Sequence, residues 1–434
     1  MGFLAAVRLV AHAAAALALA VIVPAASAET LHVRAGRLID PVRGEAVGER
    51  LITIVDGRIT SVTPWTHPPR DGRVLDWSRY TVLPGLIDMH THVADGFGQT
   101  DDPAEALKHS EAETILKGAE AARIMLRAGF TTVRDVGAYR GLTDVALRDA
   151  IAAGQVEGPR MIVAGAYITK PGGGGAVTGA PAGVEIPVAF RLGEARGPDE
   201  ARRRARYLIG QGADFIKVIA TGAVLAVGSE PGALELSEVE IAAVCDEARA
   251  LGRYCIAHAH GAEGIKAAIR AGARTIEHAS LVDDEGIALA RARGVWLDMD
   301  IYNGDWIEEV GTREGWPAEY LRKNRETTDA QREGFRRAVS AGVKLTFGTD
   351  AAVYPYGLGA RQFAYMVRYG MSSAQAIRSA TTEAAAALGL ERELGQAAPG
   401  FAGDLIAVSG DPLADVSTLT QVQGVVKAGR LVGR

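Results

Sequence analysis

The sequence predicts an α/β fold, a (β/α)8 TIM barrel with a small β-sandwich domain formed by both termini. Three observations predict it. Short, continuously apolar segments alternate with Ala/Arg/Glu-rich stretches through the middle of the chain, the pattern of buried parallel strands and their crossover helices. Eight such units fit into roughly 300 residues, a length that suits one barrel. The two ends are instead runs of β-branched residues punctuated by Gly and Asp-Gly, which read as short strands and tight turns. A doubly wound open sheet is the competing fold, but it does not call for polar residues at so many strand ends.

Taken in order, residues 1–28 read as a signal peptide. Arg8 supplies positive charge, Leu9 to Val23 is apolar apart from His12, Pro24 breaks the run, and Ala26-Ser27-Ala28 is a small-x-small cleavage site. The apolar run is shorter than the ~20 residues of a membrane span. Export to the periplasm or medium is therefore expected, with the mature chain starting near Glu29; a retained anchor is the alternative. Residues 29–84 (LHVRAGRLID, RLITIVDGRITSV, YTVLPG) and 395–434 (DLIAVSGDP, VQGVVKAGRLV) are expected to form the discontinuous β-sandwich domain. Residues 85–394 are expected to form the barrel. Its eight strands are read in LPGLIDMHTH, RAGFTTVRDVG, GPRMIVAGAYIT, QGADFIKVIATG, LGRYCIAHAHG, AGARTIEHAS, RGVWLDMD and AGVKLTFGTD. Two Gly-rich stretches, 170–182 and 222–234, follow the third and fourth strands and are candidates to close over a substrate.

Composition excludes several classes. Hydrophobic residues at 48% and charged residues at 23% argue against disorder. Lys+Arg is 47 against Asp+Glu 52, and no basic block occurs, so there is no electrostatic footprint for a nucleic-acid partner. No other stretch approaches membrane length, so no membrane association is expected after signal removal. A homo-oligomer is expected, although no helix face can be assigned to a partner. Two cysteines, Cys245 and Cys255, are too few for a disulfide framework or a Cys-based zinc site; two buried free thiols are expected.

The chemistry gathers at the strand ends. Of nine histidines, His90, His92, His258, His260 and His278 fall there, with Asp350 closing the last strand and Lys217 in the fourth. This rim is the catalytic face of a βα barrel. In His90-Thr91-His92, strand alternation puts both rings on one side, so they can grip one metal ion. His258 and His278, on adjacent strands, suggest a second. His260 either ligates or contacts substrate. A buried ammonium beside two cations is costly, so Lys217 is either carboxylated by CO2 to an anionic bridge or paired with a carboxylate such as Asp214 or Glu277. Asp350 can ligate, take a proton from an attacking water and return it to the leaving group; a helix N-cap is its plainer role.

PGLIDMHTH, FIKV, AHAHG, TIEHA and FGTDA resemble the metal-dependent amidohydrolase superfamily, and the resemblance spans nearly the whole chain after residue 28. Within it the chain is similar to the branch of exported Xaa-Pro dipeptidase (prolidase)-like and Xaa-Arg dipeptidase-like enzymes, which includes enzymes hydrolysing the amide of ochratoxin A. The resemblance implies two divalent metal ions, foremost Zn2+, with cobalt, manganese and iron as alternatives. It implies His90, His92 and Asp350 on the first ion, His258 and His278 on the second, and carboxylated Lys217 and a hydroxide bridging both. Asp350 would act as general base and acid, with His260 assisting at the oxyanion. The implied reaction is hydrolysis of dipeptides or N-acyl amino acids; a cyclic-amide or lactone hydrolase, imidazolonepropionase-like, is the alternative, and a barrel that only binds is a third reading. For the substrate carboxylate, Arg134 and Arg361 are candidates because a guanidinium suits it bidentately. Tyr139, Tyr167, Tyr302, Tyr354 and Tyr356 are candidates to line the pocket. Two departures bear on specificity: Gly172-Gly173-Gly174-Gly175 stands where relatives often read GGHG, and Pro355-Tyr356-Gly357 where they often read PHG.

Overall fold

A computed structural model describes residues 29–95, 98 and 101–433. The expected signal peptide lies outside the described residues. Among them no helix is long and apolar enough to cross a membrane.

Both ends of the chain enter one eight-stranded sheet. Its order is Arg430–Leu431, Val422–Lys427, Leu405–Val408, Arg73–Pro84, Thr30–Asp40, Arg50–Val55 and Arg58–Pro64, with Glu45–Val47 paired beside Thr30–Asp40. The Arg73–Pro84 strand is the seam. It runs parallel to Thr30–Asp40 and antiparallel to Leu405–Val408, with Leu83 opposite Ile406. Alternate residues from both ends, among them Val33, Ile52, Ile54, Trp77, Leu405 and Val426, bury together, as the two-residue period of a strand requires. Asp56 and Gly57 join Arg50–Val55 to Arg58–Pro64, both with φ > 0 (49° and 78°). That is the geometry a tight hairpin asks of an Asp-Gly pair.

The middle of the chain alternates parallel strands with helices. Leu86–Thr91, Phe130–Asp135 and Arg160–Val163 pair in parallel. Tyr167–Ile168, Ile216–Ile219, Cys255–Ala259, Thr275–His278, Trp296–Asp298 and Leu345–Thr346 form a second parallel run. The stretch read as one third strand is thus two pieces, each paired to a different neighbour, with Gly165 at φ 81° between them. Met89 N donates to Phe347 O and Asp350 N to His90 O, both at 2.8 Å, and Thr91 bridges Ala351 in parallel. These contacts bring the last strand against the first. The interior strands are buried along their whole length, which is why their sequence is apolar without alternation. The surrounding helices begin and end where local chemistry dictates. Ser110 with Glu113 and Ser237 with Glu240 form capping boxes, and Gly272 and Gly294 close helices in the left-handed region.

One expectation is overturned. Cys245 and Cys255 are joined in a disulfide, with Cα atoms 5.0 Å apart. Cys245 lies on the inward face of the Glu238–Ala250 helix, and Cys255 opens the next strand. The short return between them brings two buried sulfurs together, an adjacency that no periodicity in the sequence announces. Closing a loop of 10 residues' separation is worth about 2–3 kcal/mol by chain entropy. The unreduced protein, denatured, is therefore expected to show no free thiol in a thiol titration and two after reduction, and the Cys245→Ala/Cys255→Ala variant to unfold at lower temperature. A titratable thiol without reductant would contradict the bridge.

Candidate metal centre and active site

The strand ends bring the expected residues together. His90 Nε2 lies 3.4 Å and His92 Nε2 3.2 Å from Asp350 Oδ1. Lys217 Nζ lies 3.4 Å from His90 Nε2. On the other side, the rings of His258, His260 and His278 stand 4.5–4.7 Å apart, and His278 is 4.8 Å from His90. Among the described residues four groups have ligand atoms close enough to share an ion: His90/His92/Asp350, His258/His260/His278, His278/Asp300/Asp350 and His90/Glu277/Asp298, the last with its Glu277 already paired to Arg134. Imidazole and carboxylate are suitable donors for a divalent transition metal.

Each ring is held by its other nitrogen. His90 Nδ1 is 2.9 Å from Glu277 Oε2, His278 Nδ1 3.0 Å from Asp300 Oδ1, His92 Nδ1 2.9 Å from Gly137 O, and His260 Nδ1 2.8 Å from Ser280 Oγ. For His90, His278 and His92, whose partners are carboxylate or carbonyl oxygens, an Nδ1–H donated there fixes the tautomer and leaves Nε2 as the ligand atom, the usual support of a metal-binding histidine. His258 is the exception: its Nε2 is 3.3 Å from Gly222 O, so Nδ1 is its available donor. The backbone is strained here too. His278 and Asp350 carry φ of 69° and 56°, a region that costs a non-glycine residue of order 1–3 kcal/mol and is typically kept at functional sites.

Electrostatics follow from burial and crowding. Burial pushes the Asp350 carboxyl up, but the imidazoles of His90, His92 and His278 outweigh it and hold the group ionised, well below the usual range. Burial holds the Lys217 amine below its ordinary value. Among the described residues no carboxylate stands within ion-pairing distance of Lys217. Asp214 pairs with Arg148 at 2.9 Å and Glu277 with Arg134 at 3.0 Å, so neither makes a direct ion pair with the lysine, and Glu277 acts on it only at longer range, against burial. Asp88, fully buried, is pushed up to about 7 by desolvation. It ties the first strand to the last, accepting from His90 N, Thr349 N and Thr349 Oγ1 at 3.1, 3.1 and 2.6 Å.

One pocket is lined by His92, Lys217, His258, His260, His278 and Asp350 together. Both Gly-rich stretches contribute to its wall, through 174–178 and 223–225. They are fastened to each other. Glu235 accepts from Gly174 N at 2.8 Å and from Ser229 Oγ at 3.0 Å, and Val227 N donates to Thr178 Oγ1 at 3.0 Å. A Cβ at Gly174 would stand 3.0 Å from the Ala223 backbone nitrogen, so the absence of a side chain there is part of how the two stretches pack.

Three expected substrate contacts are corrected. Arg134 is fully buried beneath the pocket, donating to Met89 O, Thr275 Oγ1 and both oxygens of Glu277 at 2.6–3.0 Å. Its place before the last residue of its strand turns it into the interior rather than onto the rim. Tyr356 is buried with its hydroxyl donating to His92 O at 3.3 Å, and Arg361 is exposed and donates to Tyr302 at 3.2 Å; neither lines the pocket. Of the five tyrosines, Tyr139 and Tyr167 line it, whereas Tyr302 and Tyr354 pack on each other behind it. Sequence reasoning missed Asp300 and Asn303. Asn303 Nδ2 donates to Asp300 Oδ2 at 2.6 Å and Asp350 Oδ2 at 3.2 Å. Asp300 stands two residues past Asp298 at the end of the seventh strand, a polar strand end like those already singled out.

Comparison with known proteins agrees with this geometry. Residues 81–432 match the amidohydrolase family. An ochratoxinase of Aspergillus niger is 30% identical over 417 residues, covering 92% of this chain and 85% of the relative. A Xaa-Pro dipeptidase structure with methionine bound in its active site superposes with a TM-score of 0.87 at 34% identity, covering 93% of this chain and all of the other. A prolidase structure complexed with N-methylphosphonate-L-proline gives a TM-score of 0.86 at 29% identity and covers 93% and 100%. This chain belongs to the amidohydrolase family. It is a metal-dependent hydrolase of carbon–nitrogen amide bonds, acting on small molecules.

Removing the oxygen behind a ligand ring should loosen the metal. Glu277→Gln and Asp300→Asn are each expected to lower metal affinity by about 10–100-fold, read by competition with a chelator. Unchanged affinity in both variants would mean that these carboxylates do not orient His90 and His278.

Proposed function

We propose that this chain, once exported, hydrolyses the amide bond of dipeptides or N-acyl amino acids with two divalent ions, foremost zinc. The observation that carries the reading is the convergence of His92, Lys217, His258, His278 and Asp350 on one pocket, with His90 buried directly against Asp350 and Lys217, and with His90 and His278 braced through their second nitrogens. His90, His92 and Asp350 would hold one ion, and His258 and His278 the other. Lys217, carboxylated by CO2, would serve both: its lone pair forms the N–C bond, and an Nζ proton is released. Its burial, which outweighs the pull of Glu277 and Asp350, favours the neutral amine that this step needs. The ions, when bound, supply Lewis acidity toward the scissile carbonyl and lower the pKa of a water.

The protein's own groups do the rest. Asp350, ionised and anchored by Asn303, accepts the proton of the attacking water and delivers it to the leaving nitrogen. His260, with its Nδ1 accepting from the Ser280 hydroxyl, would donate its Nε2–H to the oxygen of the tetrahedral intermediate. The stitched Gly-rich stretches keep bulk water away from the scissile bond. The parallel strands and the contacts between first and last support the (β/α)8 barrel reading, and the sheet shared by both ends supports the accompanying sandwich. The disulfide supports export, because such bridges persist in oxidising compartments. The relatives named for ochratoxin and for Xaa-Pro dipeptides support a substrate with an amide next to a carboxylate.

The test is an amine-release panel on the metal-loaded chain. It contains Xaa-Pro, Xaa-Arg and other dipeptides, N-acyl amino acids, ochratoxin A and cyclic amides, with Lys217→Ala as control. Release from a linear class, lost in the control, supports the proposal; turnover of cyclic amides alone replaces it with the cyclic-amide reading. Asp350→Asn is expected to lose at least the ~10²–10⁴-fold that a positioned acid–base group contributes, with its circular dichroism spectrum unchanged. Near-full kcat in that variant would remove Asp350 from the proton path.

A further inference from the structure

With Arg134 buried and Arg361 outside the pocket, the question of what recognises the anionic end of a substrate is open. Among the described residues lining the pocket only Lys217 and Arg140 are lysine or arginine, and Lys217 belongs to the metal-ligand cluster. Arg140 follows the Phe130–Asp135 strand and precedes the Thr143–Ala152 helix. Its carbonyl accepts from Thr143 Oγ1 at 2.8 Å, which fixes the turn. The guanidinium lies over the ring of Phe190, with Cζ 4.4 Å from the centroid, and Nη2 donates to His109 O at 2.6 Å. Stacking on a buried ring and one backbone bond hold the group flat and oriented.

What it lacks is an acceptor of matching charge. Among the described residues no carboxylate lies within ion-pairing distance of Arg140, and its Nε is buried without a hydrogen-bond partner. The nearby pocket acids are otherwise engaged: Lys108 takes Asp102 at 2.7 Å and Glu105 at 2.8 Å. Arg140 lines the same pocket as His92, Lys217 and Asp350. The neighbouring Tyr139 ring is 5.4 Å from Tyr167, whose hydroxyl is 2.9 Å from His92 Nδ1. A fixed guanidinium with an unpartnered buried donor, on the wall of the pocket that His92 also lines, is a receptor for a planar anion.

We propose that Arg140 binds the free carboxylate of the leaving amino acid, and so confines the enzyme to amides whose amine half is an amino acid. The identity of that ligand rests on the amide-hydrolase reading above; the presence of an anion site on this wall does not. Truncating one partner of such a buried charge pair costs at least ~30-fold in affinity.

The experiment is calorimetric titration of the metal-loaded full chain with two stable amide mimics. These are the N-methylphosphonate derivatives of L-proline and L-phenylalanine, each as the free acid and as the primary carboxamide. The wild type is expected to bind at least one free acid ~30-fold or more tightly than its carboxamide. Arg140→Gln should erase that preference while leaving carboxamide affinity in place, and Arg140→Lys should restore part of it. Equal binding of acid and carboxamide by the wild type, binding of none, or a preference that survives Arg140→Gln overturns the assignment. If the preference holds but nothing in the amine-release panel is cleaved, the anion site stands and the hydrolase proposal falls. If amides are cleaved without the preference, Arg140 alone is wrong.

Discussion

A buried ion pair beneath the pocket underlies the rest. Arg134 and Glu277 are both fully excluded from solvent, from the second and sixth parallel strands. Glu277 accepts from Arg134, from Thr275 Oγ1 and from His90 Nδ1. The guanidinium also donates to Met89 O, one residue before His90. Two charges taken from water are tolerated only when each is paired and hydrogen-bonded. Here that satisfaction links three strands and sets the orientation of a ligand histidine. The pair cannot be judged by its net stabilisation; its effect is to make one arrangement of the strand ends far better satisfied than its neighbours.

The same logic recurs toward the rim. Asp300 braces His278 and accepts from Gln331 Nε2 at 2.9 Å, so the long Ala318–Ala341 helix reaches into the centre. That helix also supports the second Gly-rich stretch. Lys323 Nζ donates to Ala226 O and Ser229 O at 2.5 and 2.8 Å, and Glu319 accepts from Gly228 N at 2.9 Å. One helix therefore positions both a ligand's supporting carboxylate and part of the pocket roof. Placing the site on rigid elements, with partners for each ligand, is what keeps reactive groups within the narrow tolerance catalysis needs.

Much of this was legible in the sequence because its signals are local. Strand ends are marked by glycine before and polar residues after, and alternation alone sets His90 and His92 on one side. The ligand cluster was read from those signals together with a resemblance. What escaped depends on contacts between segments distant in sequence. Arg134 looked like a rim residue because its strand ends one position later; only the interior partner Glu277 reveals that it points below the site. Arg140 sits on a turn, where no period gives direction. The cysteines are brought together by a helix folding back on its neighbouring strand, which spacing alone does not disclose. The division of the third strand likewise reflects a switch of hydrogen-bonding partner, invisible in an apolar run.

The seam of the terminal sheet carries a consequence for biogenesis. The Arg73–Pro84 strand needs Leu405–Val408 along one edge, and Val422–Lys427 pairs beyond that. Some three hundred residues must follow the Arg73–Pro84 strand before this sheet can gain its missing neighbour, and contacts so distant along the chain form slowly. Until then an apolar strand edge is open to aggregation. Such a topology suits a polypeptide kept unfolded until residues 405–427 have emerged, and it ties the integrity of strands 30–84 to those residues.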